Sequence, residues 1–389
     1  MRAAPAGRAG VTPRIFLIAG EASGDALGAS LMRALRKARR AIEFSGVGGE
    51  AMAGEGLASL FPLTDIAVMG LAPVLARLPK LVARIHETAQ AVIDAGPDCL
   101  VIIDSPDFTH RVARKVRRVR PDIPIVDYVS PTVWAWRPGR ARRMRAYVDC
   151  VLALLPFEPE AHERLGGPRC VYVGHPLVER LDELKPAPRR GGRPLLLVLP
   201  GSRRAEIRRM TPLYGEVVAR LLRERDDLDV AIPVAPNMEA VLREALRGWP
   251  ITPRLLSQEE KYPAFRRARA ALATSGVATL ELALAGTPMA VAYRVSAPEA
   301  LLRFMVTVPS IVLPNLIAGE NAIPEFIQEA ATPRALAQAL TPLLDETSKT
   351  RAAQIAAFAR IRARLLGAGS HPSARVAAIV LDHATRGRM

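Results

Sequence analysis

The sequence predicts an α/β protein made of two doubly wound, parallel-sheet domains. Three observations predict it. Short runs rich in Val, Ile and Leu recur along the first half, each ending at Gly, Pro, Ser or Asp, with helix-like segments between them. Continuous apolar strands separated by helices are the pattern of a parallel sheet covered on both faces. The same alternation restarts after a polar stretch at 182–194, D-E-L-K-P-A-P-R-R-G-G-R-P, whose Pro and Gly content marks an interdomain linker.

In chain order, residues 1–13 read as a tail and 14–181 as the first domain. Its strands fall at 14–19, 42–47, 99–104, 124–129, 150–155 and 170–173, with a helix at 25–39 after the first. The second domain spans 195–366, with strands at 195–199, 230–234, 270–273 and 288–292 and helices at 205–225 and 277–285. Helices at 333–344, 350–366 and 373–383 follow, and 367–389 reads as a C-terminal helical tail. Two consecutive doubly wound domains make a cleft between them the expected active site.

Half of the 389 residues are apolar and only 5% aromatic, so sizeable cores of Ala, Leu, Val and Ile are expected and a disordered chain is excluded. Lys and Arg number 54 against 38 Asp and Glu, a net charge of +16. That excess suits a polyanionic partner such as an acidic membrane surface or phosphorylated substrates, although the abundance of Arg and Ala also fits a GC-rich coding bias. No nucleic-acid motif accompanies the charge, so no nucleic-acid partner is expected. Cys99, Cys150 and Cys170 have no metal-ligand spacing and read as buried free thiols in a reducing compartment. Charge, Gly or Pro interrupts every long apolar run, and the first 13 residues lack the apolar centre of a signal peptide. A cytoplasmic location, or attachment to the cytoplasmic side of a membrane, is the expectation.

Several strand ends carry chemistry. The first strand runs into Gly20-Glu21-Ala22-Ser23-Gly24-Asp25. These small residues would let a ligand approach the backbone at a helix N-terminus, or simply form a tight turn with Ser23 or Asp25 as N-cap. Gly46-Val47-Gly48-Gly49-Glu50-Ala51 fits a loose dinucleotide pattern, but it follows the second strand and no long helix follows it, so no such cofactor is expected. The third strand ends in Asp104-Ser105-Pro106-Asp107. A carboxylate at a strand terminus is placed to act as a general base, while Asp107 suits a cap for a helix starting near Thr109. In the second domain, Gly201-Ser202-Arg203 follows the first strand, and Ser275-Gly276-x-x-Thr279-x-Glu281 opens a helix after another. Each suits a nucleotide diphosphate, with Glu281 available to ribose hydroxyls.

Two arginine clusters, at 111–120 and 137–145, read either as solvated faces or as anion sites. Trp134 and Trp136 beside the second would suit a membrane interface. Residues 65–85 are apolar with scattered basic residues. Broken into short helices by Pro73 and Pro79, they form either ordinary core or a surface that dips into a bilayer, with Met69, Leu71, Val74 and Leu75 as apolar contacts and Arg77, Lys80 and Arg84 meeting lipid phosphates. His175 at the end of the last strand of this domain reads as a structural residue. No cluster with metal spacing is present.

The motifs taken together resemble the lipid-A-disaccharide synthase family. The matching segments are A-G-E-A-S-G-D (19–25), A-V-M-G (67–70), I-D-S-P-D-F (103–108), Y-V-S-P-T-V-W-A-W-R (128–137), L-P-F-E (155–158), V-G-H-P (173–176), L-P-G-S-R (199–203), T-S-G-V-A-T-L-E (274–281) and L-P-N-L-I-A-G (313–319). They stand in family order from about residue 15 to 328. The resemblance implies a GT-B fold, two Rossmann-like domains facing across a cleft. It implies a hexosyltransferase that moves 2,3-diacylglucosamine from its UDP ester to 2,3-diacylglucosamine 1-phosphate, releasing UDP, without metal or cofactor, at the anionic inner-membrane surface. It carries over Glu21 and Asp104 as catalytic residues, and Arg203, Glu281 and Asn315 as donor-side residues, beside Ser202, Ser275, Gly276 and Thr279 of the two loops. Glu320 departs from the Arg or Lys expected after Ala318-Gly319. Two alternatives remain: another GT-B enzyme acting on UDP-GlcNAc-type sugars, such as a 2-epimerase or a soluble transferase, and a non-enzymatic binder of anionic lipid.

Overall fold

The computed structural model describes residues 12–66, 77–186, 192–296, 308–369 and 371–387. The chain divides into two compact units, one of residues 1–178 with 367–389 and one of residues 179–366. The last helix, Pro372–Arg386, therefore belongs with the first unit.

The first unit is built on six parallel strands: β1 Arg14–Ala19, β2 Glu43–Val47, β3 Cys99–Ile103, β4 Ile125–Tyr128, β5 Cys150–Ala153 and β6 Arg169–Tyr172. They lie in the order β2-β1-β3-β4-β5-β6. β1 shows why both faces must be covered. Phe16 and Ile18 point to one side, packing with Val92, Val112 and Val116 from helices Leu78–Ala95 and Pro106–Val119. Ile15, Leu17 and Ala19 point to the other, with Met32 and Leu35 of helix Ala22–Ala38 and Val376 and Val380 of the last helix. Fully burying each such side chain contributes roughly 1.5–3 kcal/mol.

The second unit repeats the plan with β7 Leu195–Leu199, β8 Asp229–Pro233, β9 Arg254–Leu256, β10 Ala270–Thr274, β11 Met289–Tyr293 and β12 Glu325–Ile327. Their order is β12-β11-β10-β7-β8-β9, again parallel. Helix Arg204–Glu224 lays Met210, Tyr214, Val217 and Leu221 into the main core.

Several local expectations need correction. β9 and β12, three residues each at the sheet edges, carry too short an apolar run to be read from sequence. The first helix starts at Ala22, so Ser23 and Asp25 lie inside it and Glu21 holds the N-cap position. Pro79 does not break a helix. It sits in the first turn of the 18-residue helix Leu78–Ala95, where its missing N–H has no intrahelical partner to lose. Asp107 is not a cap, since its helix begins at Pro106 with Ser105 at the N-cap position. Pro73 falls outside the described residues. Among the described residues, no helix is long and apolar enough to cross a membrane.

Candidate functional site

In an open parallel sheet, ligands bind at the carboxyl edge where the strand order reverses. In the first unit that point lies between β1 and β3. The two loops leaving these strands bring Glu21, Ser23 and Asp104 together: the Ser23 hydroxyl lies 2.7 Å from Glu21 Oε1 and 3.2 Å from Asp104 Oδ2. One hydroxyl has one proton, so it bonds to only one of these carboxylates at a time. Asp104 Oδ1 accepts from the Ser105 N–H at 2.7 Å, and the Asp104 carbonyl accepts from the Thr109 hydroxyl at 2.8 Å. Oδ2 is therefore the oxygen with spare accepting capacity.

The backbone here is strained. Asp104 and Ser105 have φ of 55° and 46°, and Val129, after the adjacent β4, has φ of 87°. Consecutive non-glycine residues in this region, and a β-branched one, are uncommon, and each costs on the order of 1–3 kcal/mol. Gly20 makes the turn possible, because a Cβ there would lie 2.2 Å from Ser105 Cβ. Asp25 has a different task. It is buried and accepts from the N–H groups of Gly49, Ala51 and Met52 at 2.7–3.1 Å. The donors a dinucleotide phosphate would need at the glycine pattern are thus taken by a carboxylate of the protein.

The segments after β4 and β5 carry a buried polar group whose members, Glu158 among them, fall partly in quoted motifs but were given no role from sequence. Glu158 accepts from Trp134 Nε1 at 3.0 Å and from the Leu155 N–H at 2.9 Å. Complete burial outweighs those bonds and pushes its carboxyl up to about 7. Ser130 Oγ meets His162 Nε2 at 2.9 Å, and burial lowers the pKa of His162. His175 is buried too, which lowers it to about 4 and fits a structural role. Trp134 is half-buried, edge-on to Phe157, with its indole N–H committed to Glu158.

In the second unit the order reverses between β7 and β10, and the loops after these two strands border a cavity of about 430 Å³. It is lined by Ser202, Arg203, Ser275, Gly276 and Glu281, the expected residues of both loops, with Lys261 from a separate helix. Glu281 is buried and held by Lys261 Nζ at 2.7 Å and the Tyr262 hydroxyl at 2.8 Å. Glu206 Oε2 accepts from the N–H groups of Ser202 and Arg203 at 3.2 and 3.3 Å, while its Oε1 meets Arg203 Nη1 at 3.0 Å. This carboxylate occupies the donor set that a phosphate would use. Thr279 and Asn315 do not line the cavity. Thr279 is buried and donates to the Gly276 carbonyl, and the buried Asn315 amide exchanges two 2.9 Å hydrogen bonds with Ile323, closing a loop. Glu320 pairs with Arg360.

Met69, Leu71, Val74 and Leu75 lie outside the described residues. Lys80 and Arg84 both pair with Asp65 at 2.6 Å, and Arg77 reaches the Thr64 carbonyl at 3.5 Å. These partners reduce the charge that the segment offers to lipid. Lys261 and Tyr262 escaped the sequence reading because the fold brings them to Glu281 from another helix, while Glu158, the last residue of the L-P-F-E motif, and Glu206, in the first turn after Arg203, lie in or beside quoted motifs but were given no role there. Cys99 and Cys150 are buried free thiols as expected, whereas Cys170 is half-buried. Among the described residues, no three His, Cys, Asp or Glu side chains are grouped to hold a metal ion.

A family model described as lipid-A-disaccharide synthetase matches residues 15–375. A lipid-A-disaccharide synthase of Nitrobacter hamburgensis is 54% identical over 385 residues, covering 96% of this chain and 97% of that one. Another from Bradyrhizobium diazoefficiens is 52% identical over 383 residues, with 96% and 97% covered. Among solved structures, UDP-GlcNAc 2-epimerase of Neisseria meningitidis, bound to UDP-GlcNAc, superposes with a TM-score of 0.62 at 12% identity, covering 95% of this chain and 100% of that one. The calicheamicin glycosyltransferase does so at 0.58 and 17%, with 96% and 98% covered. At such identities these two likenesses establish the fold, a two-domain GT-B architecture, and nothing finer. The match to the family separates this chain from the 2-epimerase alternative.

The buried Glu158 gives a pH signature. Its folded value of about 7 lies above the ordinary 4.5, so its contribution to stability is complete below about 4.5 and lost as pH rises to about 7. The wild-type melting temperature should fall over that window relative to Glu158→Gln. Identical pH slopes for the two proteins would show that Glu158 is not the source.

Proposed function

This chain belongs to the lipid-A-disaccharide synthase family of glycosyltransferases, and from that membership we propose that it transfers 2,3-diacylglucosamine from its UDP ester to the 6-hydroxyl of 2,3-diacylglucosamine 1-phosphate. The observation that carries the reading is the content of the two strand-order reversals. One unit has a carboxylate with an accepting oxygen there, and the other a nucleotide-sized cavity walled by N–H groups, an arginine and a lysine.

The reaction is a single inverting displacement. Asp104 takes the proton of the acceptor 6-hydroxyl, with Ser23 and Glu21 orienting the carboxylate. The acceptor oxygen bonds to the anomeric carbon, and the bond from that carbon to the diphosphate breaks with its electron pair on UDP. Arg203 and the N–H groups at Gly276 stabilise the departing charge. Glu281, fixed by Lys261 and Tyr262, accepts from ribose hydroxyls. Asp107 is the weaker candidate for the base, being exposed with its Oδ1 bonded to Arg140 at 2.9 Å.

Both substrates carry acyl chains, so the protein works peripherally on the cytoplasmic face of an anionic inner membrane. Leu78 and Val82 support this, lying one turn apart on a helix and 44% and 40% exposed. Beside Val82 a shallow hollow carries Lys115 and Arg118. Each such cation contributes about 1 kcal/mol near an anionic leaflet.

Three measurements test these readings. UDP should bind the purified protein equally with and without EDTA, and Arg203→Ala should weaken it by roughly 1.5–3 kcal/mol. Strict dependence on magnesium would overturn the first expectation. Asp104→Asn should lower turnover about 10²–10⁴-fold with UDP affinity retained. Near-normal activity there, together with a dead Asp107→Asn, would move the base to Asp107. Finally, a folded Leu78→Ser, Val82→Ser protein should sediment less with phosphatidylglycerol vesicles than wild type does, and equal sedimentation would return this helix face to ordinary surface.

A further inference from the structure

A second basic site lies in the first unit, on residues other than those that line the cavity of the second unit. A concavity of about 210 Å³ is walled by Arg111 and Arg114 on one side and by Arg137, Arg140 and Arg143 on the other. Asp107 is the only acid among its lining residues, so five guanidinium groups face one carboxylate. Like charges are not gathered in this way without cost, and their arrangement is fixed by the fold. Arg140 is held by Asp107 at 2.9 Å. Arg114 stacks over Tyr147 and Arg137 over Trp136, at 5.3 and 5.1 Å from the ring centroids. Arg137 also adopts a left-handed backbone, φ 52°, which is uncommon for a long side chain. Tyr147 is in turn pinned by His110, whose other nitrogen faces the buried Asp127 at 3.1 Å.

We propose that this arginine pocket binds the phosphomonoester of the acceptor sugar. The inference rests on the reading of Asp104 as the base for the acceptor hydroxyl, and it names what holds the other end of that substrate. Three features support it. Forked guanidinium groups match the geometry of phosphate oxygens, and several converging on one hollow suit a dianion better than a single bilayer charge. The pocket is lined by Pro106 and by the first turns of helix Pro106–Val119, where the helix dipole also favours an anion. Pro106 lies two residues from Asp104, at most about 7 Å along the chain, so one sugar ring can span from the base to the pocket. Its small volume suits a phosphate with part of a sugar, leaving the acyl chains outside.

The test compares wild type with Arg137→Gln, Arg143→Gln, two exposed positions, after melting curves establish that the variant is folded. Transfer is measured to 2,3-diacylglucosamine with and without its 1-phosphate. In the variant, the preference in kcat/KM for the phosphorylated acceptor should fall about 10–100-fold, the scale of a lost charged hydrogen bond. The change should appear in KM for that acceptor, with KM for the donor unchanged. A calorimetric titration with glucosamine 1-phosphate needs no transfer: wild type should bind it, the variant should not, and unphosphorylated glucosamine should bind to neither. If both acceptors lose rate equally, or the preference is unchanged while disaccharide forms, the pocket does not read the phosphate and the proposal fails. If the variant instead loses affinity only for phosphatidylglycerol vesicles, the arginines serve bilayer headgroups and the proposal likewise fails. Phosphate-dependent titration that is lost in the variant, with no disaccharide formed by wild type, would uphold the pocket and overturn the transferase reading.

Discussion

The reversal of strand order in a parallel sheet is the constraint on which the rest depends. Every strand delivers its carboxyl end to one edge, and where the winding changes direction two adjacent loops diverge and leave a crevice. The first unit reverses between β1 and β3, the second between β7 and β10. Glu21, Ser23 and Asp104 occupy one crevice, and the loops of Ser202 and Gly276 border the other. Neither set could assemble on an interior strand pair wound in one direction, because the connecting helices would cover it.

Building a site there costs stability locally. Asp104, Ser105 and Val129 all sit at positive φ at the carboxyl edge of one sheet. Such conformations persist only where the surroundings over-determine them. Here the surroundings are fully buried strands on both sides and a glycine at position 20 that leaves room for Ser105. With this backbone Asp104 Oδ1 accepts from the Ser105 N–H and Oδ2 lies beside Ser23.

The protein also manages its positive potential with its own carboxylates. Asp25 takes the N–H groups at Gly49, Ala51 and Met52, and Glu206 takes those of Ser202 and Arg203. The first is buried and permanent, and it retires a glycine loop from ligand binding. The second borders an open cavity, where the same donors lie at the wall. The net charge of +16 is thus unevenly committed: some arginines are tied to internal acids, such as Arg117 to Asp149, while five converge on one hollow with a single acid.

By itself the sequence determined the two-domain parallel architecture, because a strand buried on both faces must be a continuous apolar run, as β3, β5, β7 and β10 are. It also determined the residues at the strand ends, since Gly, Ser and acid types punctuate those runs. What it did not carry were relations between distant segments. The edge strands β9 and β12 form only because a neighbour offers a free edge to pair with. Lys261 and Tyr262 reach Glu281 from another helix, and Glu158 acquires its perturbed carboxyl from burial beneath Trp134. Thr279 and Asn315 match their motifs yet turn inward to hold loops, and the two arginine runs, alike as strings, divide into buried struts and a pocket. Only the tertiary structure decided these, because burial and electrostatic field belong to the packed surroundings of a side chain and not to its neighbours along the chain.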